Sequence, residues 1–420
     1  IKNFLISLTI NHLDMAQNPL ISILIATKNR QKYCLSAVQS ILNIKDDRIQ
    51  VIVQDNSDDT SLKEMLLSYM DDKRLIYNYI PGILSFVDNF SAAINLATGI
   101  YVCAIGDDDG INPEIIAAAE FANDNNYEAL VGNVEANYRW EGTGAPDTFF
   151  TKMSDNTLTI THFNGKVKVV KVEDSLQKLM TNGATNYLDF HFPKLYHGIV
   201  KKRVFEKIKH KTGTYLKGLS PDIYAAIALA CNVEKLLVID YPLTIPGVCK
   251  VSGSIQEGQK KSNSKKLEDA PHFKGNKNYQ WAEQVPNIYC VQTIWADSAF
   301  AAIKEFKRTD LIEKFDKYML YANILDADPS LKPLLLEFID KNKGGNTLDQ
   351  EIKNINKAKL KGPYKKFLKR RVLGRMKKIL KIERYEIINN LKDMSEVTDA
   401  LVNYLSKLNI DIIKEFNKTK

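Results

Sequence analysis

The sequence contains no apolar run that approaches the ~20 residues an α-helix needs to span a bilayer. Its first residues, 1–6 (IKNFLI), include an apolar stretch but no basic region or small-residue cleavage site, so we do not expect a signal peptide. The five cysteines stand singly among apolar neighbours, and no CxxC pair occurs. This spacing argues against a zinc site and a disulfide framework, and we expect free, buried thiols in a reducing cytoplasm.

The usual glycine-rich phosphate-binding loops are also missing. Residues 27–30, after the first apolar run, read TKNR rather than GxGxxG, and GxxxxGK[ST] occurs nowhere in the chain. These absences argue against a nicotinamide-dependent dehydrogenase and a P-loop nucleotidase. A phosphorylated ligand would therefore need another source of positive charge, such as a metal ion.

The composition is that of a globular protein, with 45% hydrophobic and 26% charged residues. A length of 420 residues suggests two or three domains. The net charge of +8 is local, because residues 353–381 hold thirteen Lys or Arg and no acidic residue, which leaves the rest at −5. This basic segment needs an explanation of its own.

Short apolar runs alternate with helical periodicity between residues 20 and 133. The pattern predicts strands at 20–27, 48–55, 75–80, 100–105 and 128–132, each followed or preceded by a helix. Strands that alternate with helices form βαβ units, so we predict an α/β fold with a doubly wound, mostly parallel sheet.

The division into domains follows from changes in this pattern. We expect an N-terminal extension at 1–19 and an α/β domain at 20–250. A Lys-, Ser- and Gly-rich stretch then predicts a mobile loop or linker at 251–285. Residues 286–420 are predicted to form a helical C-terminal region that contains the basic segment 353–381.

Carboxylates follow two of the predicted strands. Asp55 ends the second strand, and Asp107, Asp108 and Asp109 follow the fourth. In a doubly wound sheet, ligands bind beyond the carboxyl ends of the strands. Three adjacent carboxylates repel one another unless a cation or hydrogen-bond donors compensate, and Mg²⁺ or Mn²⁺ prefers such oxygen ligands. A solvated acidic turn is the alternative, whereas an EF-hand is excluded because no Glu stands at the twelfth position.

Three segments, 21–30 (ISILIATKNR), 51–59 (VIVQDNSDD) and 97–113 (ATGIYVCAIGDDDGINP), resemble successive signatures of family-2 glycosyltransferases with the GT-A fold. The likeness covers roughly residues 20–250. It implies an inverting enzyme that moves a sugar from a nucleotide-diphosphate sugar, with a UDP-sugar favoured, to a saccharide acceptor. The expected setting is bacterial surface polysaccharide synthesis.

The resemblance also assigns roles to residues. Thr27 lines the base pocket, although Ala26 replaces the usual Pro before it. Asp55 contacts the base or ribose, and Asp107 holds the ribose, with Asp108 assisting in nucleotide-sugar binding. Asp109 holds Mn²⁺ or Mg²⁺.

A general base is expected in the first turn of a helix that begins after Ser220. The resemblance places it at Asp222, where the helix dipole would favour the ionised form; an ordinary helix-start Asp is the alternative. His197 is a candidate acceptor or metal ligand, or else a structural histidine. Tyr138, Arg139 and Trp140 form an acceptor wall or, equally, part of the core.

The basic segment 353–381 is predicted to bind the surface of anionic membranes, which would suit an enzyme with a lipid-linked glycan acceptor. A packed helix with solvated lysines is the main alternative, and we predict no nucleic-acid partner because no such signature occurs. The expected location is the cytoplasm, with attachment to the inner face of the membrane.

Two rival functions stay open. A sugar-nucleotide nucleotidyltransferase would need glycines in the 27–30 loop, and these are missing. A non-catalytic glycan-binding protein with a degenerate site is the other rival, which the intact run Asp107–Asp109 disfavours.

Overall fold

The computed structural model describes residues 18–133, 136–143, 154–250, 267, 279–362 and 385–419. The predicted extension 1–19 and the predicted loop 251–285 lie mostly outside these residues, as does the part of the basic segment that follows 362.

Strands within the described residues are β1 (Ile21–Thr27), β2 (Ile49–Asp55), β3 (Leu75–Tyr79), β4 (Tyr101–Ile105), β5 (Gly110–Ile111), β6 (Ala129–Gly132), β7 (Ala136–Arg139), β8 (Thr157–Ile160), β9 (Val167–Lys171), β10 (Gly198–Lys201), β11 (Lys235–Ile239), β12 (Thr244–Ile245), β13 (Gly247–Val248) and β14 (Glu386–Ile388). Helices there are α1 (Gln31–Leu42), α2 (Ser61–Met65), α3 (Phe86–Leu96), α4 (Ile115–Asp124), α5 (Val172–Thr181), α6 (Lys202–Thr212), α7 (Pro221–Ala230), α8 (Val291–Glu305), α9 (Thr309–Ile312), α10 (Lys317–Ala327), α11 (Lys332–Asn342), α12 (Leu348–Lys361), α13 (Met394–Leu405) and α14 (Ile412–Asn417).

The main sheet has the strand order β3-β2-β1-β4-β10-β6-β11-β9. Strands β1 to β4 are mutually parallel, β10 runs antiparallel to both of its neighbours, and β9 runs antiparallel to β11. The five strands predicted between residues 20 and 133 are confirmed to within one residue. The apolar runs of β1 and β4 are continuous because both faces of the sheet are covered there, as is usual for parallel strands.

Two smaller sheets lie beside the main one. Strands β12 and β5 pair with each other, and a second sheet has the order β13-β7-β8-β14. This second sheet brings residues that are far apart in sequence to the main domain, since β14 comes from the C-terminal part of the chain.

Residues 385–419 pack against the predicted α/β domain. The Met394 backbone N–H donates to the Ser36 hydroxyl oxygen at 2.9 Å, and the rings of Phe416 and Phe121 stack with centroids 4.7 Å apart. Helices α8 to α12 contact a different part of the molecule, where α8 packs on α7. The α/β class with a helical C-terminal region is confirmed, whereas the domain boundaries stay a prediction.

Candidate active site

The carboxyl ends of β1, β2 and β4 meet at one edge of the main sheet. Thr27 at the end of β1 is in register with Asp55 at the end of β2. The Thr27 hydroxyl donates a hydrogen bond to Asp107 Oδ2 at 2.7 Å, across the 80 positions that separate them in sequence. The edge that the sequence pattern predicted is therefore where the candidate residues gather.

Arg30 neutralises two of the three adjacent carboxylates. Its Nη1 lies 2.7 Å from Asp107 Oδ1, and its Nη2 lies 2.9 Å from Asp108 Oδ2. Burial raises the pKa of Asp107 to about 7, even though the Arg30 charge acts in the opposite direction. Arg30 was not among the residues that the sequence singled out; the one available signal was a basic residue just beyond a strand that ends at the acidic edge.

The loop that carries the carboxylates packs against residues that directly follow β7 and β13. The Trp140 indole N–H donates to the Asp108 carbonyl oxygen at 2.8 Å, and the Cys249 N–H donates to Asp108 Oδ2 at 3.2 Å. Tyr138 and Trp140 are buried. They therefore belong to the core that packs against this loop, which is one of the two alternatives that the sequence left open.

Asp109 is compensated separately from its two neighbours. Its Oδ2 accepts from the Gly106 N–H at 2.5 Å, and its Oδ1 accepts from the Gly247 N–H at 2.6 Å. His197 Nε2 lies 3.3 Å from Oδ2. Burial alone would raise the pKa of Asp109, but His197 and the two backbone N–H groups outweigh it and lower that pKa.

Gly247 has a steric reason to be glycine. A Cβ at this position would lie 1.7 Å from the Asp108 carbonyl oxygen, which no side chain tolerates. The close approach is what allows the Gly247 N–H to reach Asp109. The bond between β13 and the carboxylate loop therefore depends on this one residue.

His197 is held by both its backbone and its ring. Its N–H donates to the Ala104 carbonyl oxygen at 2.9 Å, and its φ of 57° lies in the left-handed region. Nδ1 lies 3.1 Å from the Thr244 hydroxyl oxygen, which leaves Nε2 facing Asp109. A side chain held on both sides in this way is oriented toward the acidic cluster.

Asp55 lies at the predicted edge but is fully buried. Its two oxygens accept from the Ser57 N–H and the Tyr77 hydroxyl, both at 2.8 Å. The protein itself thus supplies a donor to each oxygen, and the role of Asp55 in nucleotide binding stays a prediction.

Asp222 is the second residue of α7 and is only partly buried. Burial raises its pKa above the usual value, although the charges of His197 and Lys194 act in the opposite direction. Burial thus opposes the ionised form that the helix dipole at this position was expected to favour. Within the part of the chain that the structure describes, no group donates a hydrogen bond to this carboxylate, so it is available to a ligand.

The side chains at this edge show how far the site could hold the predicted metal ion. Among the described residues, no group of three or more His, Cys, Asp or Glu side chains is arranged to hold a metal ion. Asp107 and Asp108 pair with Arg30, so the crowding of carboxylates does not by itself require a cation. Asp109 and His197 fit Mg²⁺ or Mn²⁺ only as a partial set, completed by the phosphates of a substrate, which is how Mg²⁺ is commonly bound.

Comparison with known proteins assigns the N-terminal part of the chain. Residues 22–174, which include Thr27, Arg30 and the three carboxylates, match the model described as glycosyl transferase family 2. Residues 22–174 therefore resemble glycosyl transferase family 2, the family that the sequence motifs indicated. The α/β class that was expected from the resemblance is confirmed by the order of the strands and helices.

Structures of S. aureus TarS are similar to this chain. The complex of TarS 1–349 with UDP-GlcNAc is 16% identical, covers 81% of this chain and 90% of that chain, and gives a TM-score of 0.44. The complex with UDP is 16% identical over 57% of this chain and 62% of that chain, with a TM-score of 0.39. A further TarS structure, also 16% identical, covers 81% and 54%, with a TM-score of 0.41. No curated protein matches the sequence.

The described helices also bear on membrane association. None of them has the length and apolar character required to cross a membrane. Residues 353–361 complete α12, but the rest of the basic segment lies outside the described residues apart from Gly362. Its attachment to an anionic membrane stays a prediction.

Proposed function

We propose that the chain transfers a sugar from a nucleotide-diphosphate sugar to a saccharide acceptor with inversion at the anomeric carbon. The observation that supports this most directly is the meeting of Thr27, the run Asp107–Asp109 and His197 at one sheet edge, with the Asp222 carboxylate within electrostatic reach of His197. The donor we favour carries UDP, and the acceptor is a free or lipid-linked glycan of a bacterial surface polysaccharide.

The nucleotide would lie over the ends of β1, β2 and β4. Thr27 and Asp107 already share a hydrogen bond there, so a ribose hydroxyl would join an existing polar pair. Arg30 keeps Asp107 and Asp108 close together and offsets their charge before any ligand arrives. Such preorganisation reduces the rearrangement that binding requires.

Asp109 and His197 would hold Mn²⁺ or Mg²⁺ together with the diphosphate. When bound, such a cation supplies positive charge that offsets the charge on the departing diphosphate. The backbone N–H groups of Gly106 and Gly247 fix the Asp109 carboxylate, so its position is set by the fold.

Asp222 would take the proton from the acceptor hydroxyl. The raised pKa makes its carboxylate a stronger base than an exposed aspartate, which favours proton transfer near neutral pH. A single displacement at the anomeric carbon then inverts its configuration.

The proposal is tested by ligand binding and by the stereochemistry of the product. UDP and UDP-GlcNAc, the ligands in the TarS complexes, are the first probes, followed by other UDP-sugars with and without Mn²⁺. A bound donor should raise the melting midpoint by mass action. NMR of the sugar released to water from an α-linked donor should first show the β-anomer; the α-anomer would overturn inversion, and no binding or turnover with any nucleotide sugar would overturn the transferase proposal.

A further inference from the structure

The turn that leads into α7 is tied to α8 through one hydroxyl group. Ser298, in the middle of α8, is fully buried. Its oxygen accepts hydrogen bonds from the Leu219 N–H at 3.1 Å and from the Ser220 N–H at 3.0 Å. These two backbone groups immediately precede the helix turn that carries Asp222.

The turn has no equivalent support of its own. Leu219 and Ser220 are buried, and the Ser220 side chain makes no capping hydrogen bond to α7. Gly218 has a φ of +77°, and a Cβ there would lie 3.1 Å from the Ser298 hydroxyl oxygen. Ser298 therefore satisfies two N–H groups that have no access to water, at a place where the backbone passes very close to α8.

α8 is itself fixed in a second direction. Asp297, next to Ser298, is buried and accepts from the Tyr279 hydroxyl at 2.5 Å and from the Ala282 N–H at 2.8 Å. Since α8 also packs along α7, it gives the turn a rigid support. The position of α7 relative to the sheet edge thus depends on a helix that lies outside residues 22–174.

We propose that Ser298 is a positioning residue for the base: its hydroxyl fixes the start of α7 and thereby places the Asp222 carboxylate at the acceptor hydroxyl. This inference rests on the proposed function, because it takes Asp222 as the base. Donor binding should not depend on Ser298, since the candidate donor residues lie at the ends of β1 and β2 and in the loop after β4.

The experiment compares Ser298→Ala with Thr293→Val, a control on the same helix. The Thr293 hydroxyl donates within the local turn to the Ile288 carbonyl oxygen and does not contact the turn before α7. Three quantities are measured on each full-length variant. They are hydrogen exchange of the Leu219 and Ser220 amides, UDP affinity by calorimetry, and UDP release from the UDP-sugar that the wild type hydrolyses fastest.

For Ser298→Ala we expect faster exchange at both amides, UDP affinity within about twofold of wild type, and turnover lowered at least ~10-fold, because misplacing a catalytic group by about 1 Å can cost ~100-fold. Thr293→Val should keep both amides protected and turnover near wild type, even if its melting midpoint falls. If Ser298→Ala is poorly folded, Ser298→Cys is used instead, because its thiol nearly fills the space of the hydroxyl but accepts hydrogen bonds only weakly. It should show the same pattern with smaller changes, that is, faster amide exchange and lower turnover with nearly unchanged UDP affinity.

The two proposals fail separately. Wild-type turnover in Ser298→Ala, with turnover lost in Asp222→Asn, would overturn the positioning role and leave the base in place. Wild-type turnover in Asp222→Asn would overturn the assignment of the base and the inference with it. Equal losses of turnover in Ser298→Ala and Thr293→Val would mean that Ser298 acts only through stability, which would also overturn the positioning role.

Discussion

Replacing Arg30 by Gln should destabilise the protein in a manner that depends on pH. The Arg30 side chain is 21% exposed, while those of Asp107 and Asp108 are 2% and 6% exposed. Removing one partner of a buried ion pair costs ~3–5 kcal/mol because the other charge is left uncompensated. We expect a loss of this size at about pH 8, which lies above the pKa of about 7 that Asp107 has in the intact protein.

The pH dependence follows from the raised pKa of Asp107. In the native protein this pKa is about 7, whereas in the unfolded chain it is roughly 3.9. The folded state therefore binds the proton more tightly, and the stability from this group is present at low pH and is lost as pH rises toward 7. Without Arg30 the pKa of Asp107 in the folded protein should rise further. The variant should therefore continue to lose stability above pH 7, by ~1.4 kcal/mol per pH unit.

Urea denaturation at about pH 5 and about pH 8 measures this effect. Arg48→Gln is the matched control, because Arg48 also pairs with two carboxylates, Asp46 and Glu120, but is 47% exposed. The control should cost no more than ~1 kcal/mol at either pH. Adding Asp107→Asn to Arg30→Gln should restore part of the stability at the higher pH. The reasoning is refuted if Arg30→Gln costs no more than the control, or if its cost does not grow with pH.

Three further predictions concern ligands and catalysis. Asp109→Asn should remove the Mn²⁺-dependent part of UDP binding, measured by isothermal titration; unchanged affinity would exclude Asp109 as a metal ligand. Asp222→Asn should lower turnover ~10²–10⁴-fold while UDP still binds. If the variant instead keeps normal turnover and loses only ~1 kcal/mol of stability, Asp222 is an ordinary residue at the start of a helix and not the base. Replacing residues 363–384 by a Gly/Ser linker should abolish binding to anionic liposomes, which in the wild type should weaken with added salt. Salt-independent binding, or binding retained by the deletion, would favour a packed helix.

The sequence predicted the central strands of the sheet well because they are buried on both faces. The second strand is a clear case, since all seven residues of β2 are buried and its pattern needs no tertiary information. The gathering of Thr27 and Asp107 also followed from topology, because the ends of neighbouring parallel strands share an edge.

The pairing of side chains at that edge did not follow from the sequence. Lys28 and Arg30 stand two positions apart after β1, yet Lys28 bonds to Asn56 while Arg30 reaches Asp107 and Asp108. Which of the two turns toward β4 depends on backbone angles that composition does not reveal. The pKa of Asp222 was misjudged for a related reason, since its burial depends on how the surrounding elements pack.

The docking of residues 385–419 has a consequence for how the protein folds during synthesis. Met394 packs under the carboxylate loop so closely that a Cβ on Gly110 would lie 2.5 Å from its sulfur. A nascent chain that has exposed only residues 22–174 still lacks this packing, and it also lacks β14, the strand that pairs with β8. Contacts between such distant parts of a chain form slowly, so the acidic edge should reach its final geometry only after residues 385–419 leave the ribosome.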